Sequence, residues 1–159
     1  MLRIVAVAAA LGIGVTMVHA QNLDVIKQRR DVMREIVKAG ATPFKMTKGE
    51  APFDLATVQA GLKAYQEQGA KFKNLFPDDS KTGGNTDATP KVWAAKADFN
   101  AAVDAFVANA KDVAAAIKDE ATFKTEYPKA VRSCGGCHKE SDGFSPRLGD
   151  SFKKLQTPN

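Results

Sequence analysis

The chain predicts an all-α fold, an antiparallel four-helix bundle, on three observations. Four stretches carry apolar residues at steps of three and four. Polar segments containing glycine and proline separate them. No stretch alternates apolar and polar residues with the period of two that a half-buried strand needs. With 159 residues, 44% of them apolar, the chain suits one domain around one core.

In the first stretch, Leu23, Val25, Ile26, Val32, Met33, Ile36 and Val37 mark one face of a helix from Asn22 to Lys38. Arg29 interrupts that stripe. Gly40 is expected to stop the helix, leaving "GATPFKMTKGEAP" as a loop. The second helix is expected from Phe53 to Phe76, capped by Asp54 and ended by Pro77; "PDDSKTGGNTDATP" then reads as a polar loop. A third, alanine-rich helix starts near Pro90 and runs to Ile117. The fourth begins near Glu120 and carries Phe123, Tyr127, Val131, Cys134 and His138 on one face. Pro128 sits inside it. Because an internal proline costs about 3 kcal/mol, a kink or a fresh helix start is expected there.

The ends read differently. Residues 1–20 have one early cation, Arg3, an apolar run from Ile4 to Val18, and small or aliphatic residues at Val18-His19-Ala20. That is the pattern of a cleavable secretory signal, shorter than the roughly 20 apolar residues of a membrane anchor. The expected organisation is therefore signal peptide 1–20, bundle domain 21–142 and a tail 143–159 with one short helical turn around Asp150 to Leu155. Without the signal, Lys and Arg fall from 23 to 22 against 18 acidic residues, a formal charge of +4. The charges are interspersed, which argues against nucleic acid and leaves a docking face for an acidic partner open. No stable membrane anchor is expected.

Both cysteines lie in Cys134-Gly135-Gly136-Cys137, followed by His138, the one histidine outside the expected signal. Three chemistries compete for this motif. A thioredoxin-like pair belongs at the start of a helix that follows a strand, where the helix terminus stabilises a thiolate. Here the motif falls towards the end of the last helix of an all-helical chain. A structural zinc site takes four Cys or His ligands, and the processed chain offers three. C-x-x-C-H is also the attachment signature of a c-type haem, with each thiol joined to a vinyl group and the histidine an axial iron ligand. An exported chain that spends both cysteines on this motif favours the third. One covalently bound haem c is the expected cofactor, with His138 proximal.

For the opposite side of the iron, Met33 and Met46 are the two methionines outside the signal. Met46 falls in the expected loop, whereas Met33 falls on the apolar stripe of the first helix. Core filling is the ordinary use of such a methionine. Arg29, one turn earlier, is a cation that needs an anionic partner, which haem propionates would supply; the alternative is an arginine snorkelling at the bundle rim.

With these residues placed, the chain resembles class II cytochromes c, the cytochrome c-prime family, and within it the low-spin cytochrome c-556 branch. The resemblance spans roughly residues 22–141. It rests on C-x-x-C-H near the C-terminal end, the four-helix order, "KGEAPFD" at Lys48 to Asp54 and "DATPKVW" at Asp87 to Trp93. It implies that Arg29 is the family's arginine beside the haem edge, that Met33 is the distal ligand, and that Asp87 lies in a loop approaching the haem from the side. Arg30 stands where a glutamine is common. Two departures are Pro128 and "KESDGF" after His138, where the family's helix continues.

The expected function is a periplasmic electron carrier with His/Met-ligated low-spin haem, serving redox partner proteins and performing no substrate chemistry. The rival is a five-coordinate haem protein that binds nitric oxide or other small gases. Whether the chain forms a homodimer stays open.

Overall fold

In the computed structural model, which describes residues 22–139 and 143–145, five α-helices build the four legs of the bundle. They are α1 Leu23–Thr47, α2 Leu55–Phe72, α3 Lys91–Ala94, α4 Lys96–Ala116 and α5 Glu120–Ser133. Together α3 and α4 make the third leg. Helix α2 packs against α1 and α4, and α4 packs against α5. The expected signal peptide and the helical turn expected near Asp150 lie outside the described residues.

Three side chains start the long legs by accepting amide protons that the first turn leaves unpaired. Asn22 accepts from the Val25 N–H, Asp54 from that of Thr57, and Asp119 from that of Thr122. At Asp119 the Thr122 hydroxyl oxygen accepts the Asp119 N–H in return, closing a reciprocal cap.

Helix α1 does not stop at Gly40. It runs nine residues past Lys38, to Thr47, with Pro43 inside it. The glycine serves a close approach: a Cβ at position 40 would lie 2.0 Å from Tyr65 Oη. Gly61 of α2 does the same from the other side, where a Cβ would lie 2.8 Å from the Ala39 carbonyl oxygen. The two helices cross where neither carries a side chain. Pro43 is fully buried at this crossing, so packing overrides its poor helical propensity. Met46, expected in a loop, is consequently on the helix and 7% exposed in the core.

Three other boundaries differ from the periodic reading. Helix α2 ends at Phe72 rather than Phe76: the Asn74 and Leu75 amides donate to the carbonyls three residues back, Lys71 and Phe72, at 3.2 and 3.1 Å, and the carbonyls beyond take partners outside the helix. Leu75 O accepts from Arg29 at 3.4 Å, while Phe76 O and Pro77 O each accept from Trp93 Nε1 at 3.2 Å. The third leg breaks at Ala95, whose φ of −122° and ψ of 54° are not helical. Helix α5 passes through Pro128 without a break and ends at Ser133. Phe123 and Tyr127, each 1% exposed, hold the turns before the proline on the core.

The interior divides into two clusters. One, centred on Val58, Leu62, Val113, Ile117, Phe123 and Tyr127, is filled by the chain's own side chains. The other groups Phe76, Val92, Phe99, Val103 and Phe144. Its rings meet edge to face, with Phe76 and Phe99 centroids 4.6 Å apart.

Candidate functional site

Beside the second cluster the bundle leaves a cavity of about 320 Å³. Cys134, Cys137 and His138 line it from the turn after α5, and Met33 lines it from α1. Phe72, Phe99, Val103 and Phe106 supply much of the remaining wall. The sequence separates these residues by up to about a hundred positions, and the fold brings them to one space.

The cysteines are not on an α-helix, contrary to the periodic expectation. Helix α5 closes at Ser133 and Cys134–Gly136 form a single 3₁₀ turn. The Cys134 carbonyl accepts from both the Cys137 N–H at 3.2 Å and the His138 N–H at 3.1 Å. This tight turn presents both thiols and the imidazole to one cavity. The thiols form no disulfide. Burial raises the Cys134 thiol to about 12, with the neighbouring Cys137 adding to it, and burial also raises Cys137. The pair follows a helix C-terminus, so no helix N-terminus stabilises a thiolate. A thiol oxidoreductase needs the opposite electrostatics. Nor does any group of three or more Cys, His, Asp or Glu side chains among the described residues suit a metal ion by itself.

Met33 is half-buried, packs against the first core cluster and lines the cavity, while Met46 is a buried member of that cluster and does not line the cavity. Arg29 is 4% exposed. Its guanidinium donates to Ser80 Oγ at 3.0 Å, Ser80 O at 2.8 Å and Thr86 Oγ1 at 2.5 Å. It also lies 4.9 Å from the centroid of the Phe76 ring. Burial pulls its pKa below the ordinary arginine range, but a guanidinium stays charged. Arg29 therefore ties the loop after α2 to α1 while forming part of the cavity wall. Arg30, Arg34 and Asp87 line the same cavity.

Thr86 and Phe144, which line the cavity, and Ser80, which holds Arg29, are residues that periodicity does not reveal. Ser80 is fully buried, yet in "PDDSKTGG" it reads as one more solvated loop residue. Nothing in the local pattern marks it, because its partner Arg29 is 51 residues away.

A family model described as Cytochrome C' matches residues 24–140. The chain belongs to the cytochrome c' family. Cytochrome c' of Rhodopseudomonas palustris is 39% identical over 139 residues, covering 87% of this chain and 94% of the relative. Cytochrome c-556 of the same bacterium is 32% identical over 143 residues, covering 87% and 95%. The solved structure of the R. palustris cytochrome c' superposes with a TM-score of 0.73 at 38% identity, spanning 79% of this chain and 98% of that one. The cytochrome c' fold is a four-helix bundle, and its cofactor is one covalently bound c-type haem.

The residues present fit that cofactor. Two thiols outside any disulfide stand beside an imidazole on the wall of an apolar cavity that the chain's own side chains leave unfilled. Arg29, Arg30 and Arg34 of α1 stand on the same wall and would compensate the carboxylates of haem propionates. When bound, the haem iron supplies a one-electron change between ferric and ferrous states. Cys134 and Cys137 would hold it, His138 would offer a nitrogen donor to the iron, and the aromatic and aliphatic lining would give it an apolar surrounding.

Proposed function

We propose that this cytochrome c' family member is a periplasmic electron carrier, with haem joined to Cys134 and Cys137 and iron held between His138 and Met33. The observation that carries the reading is the placement of the two methionines. Met33 reaches the cavity that His138 also lines, and Met46 is occupied in the core. A thioether is a soft donor that favours the ferrous state, and two filled axial positions leave no site for a substrate. The protein would then act in electron transfer and not as an enzyme.

Export is supported by the residue pattern of positions 1–20. No helix among the described residues is long and apolar enough to cross a membrane. Arg29 and Asp87 both line the cavity and would contact the haem, with the buried Arg29 supplying a cation to its propionates.

A second reading keeps His138 as ligand but leaves Met33 off the iron, giving a five-coordinate gas-binding protein. The more similar of the two relatives, at 39% identity, is itself a cytochrome c'. Met33→Ala in the haem-loaded protein separates the two. For a carrier, the parent shows a low-spin spectrum with a weak far-red methionine-to-iron band, and the variant turns high-spin and binds carbon monoxide. A parent that is already high-spin, with an unchanged variant, overturns Met33 ligation and hands the site to gas binding.

A further inference from the structure

After His138 the chain returns to the cavity. Phe144 is 8% exposed, and its ring meets Phe99 edge on, with centroids 5.4 Å apart. Phe144 and Ser145 both line the cavity. The return is anchored on two sides. Towards the cysteine turn, the Phe144 and Ser145 amides donate to the Cys137 carbonyl at 3.1 and 3.3 Å. Towards the loop before α3, Phe144 O accepts from the Thr89 N–H at 2.9 Å, and Gly143 O accepts from Thr89 Oγ1 at 2.9 Å.

Gly143 makes this return possible. A Cβ there would lie 2.6 Å from the Lys139 carbonyl oxygen and 2.7 Å from the Lys139 nitrogen, both backbone atoms that cannot swing away. The stretch "GF" at positions 143 and 144 is thus a glycine that allows close approach, followed by the ring the approach delivers.

We propose that Gly143–Ser145 is a built wall of the haem site, with Phe144 as a positioning residue that excludes water beside the His138-bearing turn and holds the haem's reduction potential up. The ferric state carries one more positive charge than the ferrous state, so a dry apolar wall disfavours it. Cys137 packs against the same aromatic cluster as Phe144. The wall therefore bears on the attachment turn itself, through the bonds to the Cys137 carbonyl, as well as on solvent access. The inference rests on haem attachment and not on Met33 ligation, since a midpoint potential is defined for either ligand set.

The test is a spectroelectrochemical titration of the haem-loaded parent, Phe144→Ala, Phe144→Leu and Thr89→Val. Amide exchange at Phe144 and Ser145 is followed in parallel. Phe144→Ala is expected to shift the one-electron equilibrium about tenfold towards ferric haem, which is 59 mV. Phe144→Leu keeps bulk but loses the ring and shifts it less. Thr89→Val removes only the bond to Gly143 O, shifts it least, and speeds exchange at the Phe144 and Ser145 amides. If Phe144→Ala does not load haem, the two milder variants decide. Loaded, folded variants that keep the parent potential, or raise it, overturn the proposal. A high-spin parent spectrum would overturn Met33 ligation alone and leave this comparison valid.

Discussion

The two ends of the bundle interior use apolar side chains for opposite purposes. Around Val58, Leu62, Phe123 and Tyr127 the helices fill their own space, to the point that Gly40 and Gly61 let α1 and α2 cross closely. Around Phe72, Phe76, Phe99 and Phe144 the rings instead stand around a cavity of about 320 Å³. The polar groups differ as well. The packed end buries the Tyr65 and Tyr127 hydroxyls 3.4 Å from each other, and burial raises Tyr65 to about 12 and Tyr127 further still. The cavity end buries a charged arginine on serine and threonine oxygens. A neutral phenol pair suits an interior that stays closed. A fixed cation suits one that receives a group bearing carboxylates. The first end closes on its own side chains, while the second is lined by Cys134, Cys137 and His138.

Substitutions at each end should therefore separate in what they move. The largest loss of stability is expected from Phe123→Ala, where the ring is 1% exposed and packs against Phe53 and Tyr127 at 5.3 and 5.2 Å. Deleting such a ring costs about 3–5 kcal/mol. Denaturant titration of the loaded protein should report that loss while the visible spectrum stays as in the parent. A changed haem spectrum in this variant would break the division between the ends.

Gly40→Ala should cost about 1–3 kcal/mol, the usual range for overpacking. The added methyl must displace the buried Tyr65 ring, whose hydroxyl lies 2.0 Å from where it would sit. Combining Gly40→Ala with Tyr65→Phe removes the clashing oxygen and should recover part of the stability. No recovery would show that the crossing is limited by something other than this contact.

The smallest effect belongs to the cap of α5. Asp119 is held below the usual carboxylate range, first by the Thr122 N–H and then by the Thr122 hydroxyl. A carboxyl whose pKa is lowered on folding stabilises above its unfolded value, about 3.9, and loses that contribution as pH falls through the folded value. Asp119→Ala should lower the melting temperature slightly at neutral pH. The gap to the parent should narrow as pH drops below about 4. A gap independent of pH would mean that the carboxylate charge is not what caps the helix.

Much of this was legible in the chain. The helices announce themselves because an apolar stripe and a capping side chain are local signals, and Asp54 caps its helix as its position predicts. C-x-x-C-H is legible for the same reason, since its residues are contiguous. Gly40 and Pro43 misled because their usual meaning is helix termination, a weak preference that the buried crossing with α2 overrides. Leu75 and Phe76 continue the helical periodicity but not the helix, since the amides at Asn74 and Leu75 have already tightened to bonds three residues back. Phe144, in a segment that reads as an extension, is core.

The sequence by itself determined a helical bundle and, near its C-terminal end, a contiguous C-x-x-C-H motif. Those properties depend on residues within a few positions of each other. Only the tertiary structure decided that α1 carries Met46 into the packed core, that Arg29 is clamped by Ser80 and Thr86, and that Phe144 closes back on Phe99 and Thr89. Each of these depends on partners from tens to a hundred residues away. Such contacts arise from how helices cross and pack, and a pattern read along one helix does not carry that information.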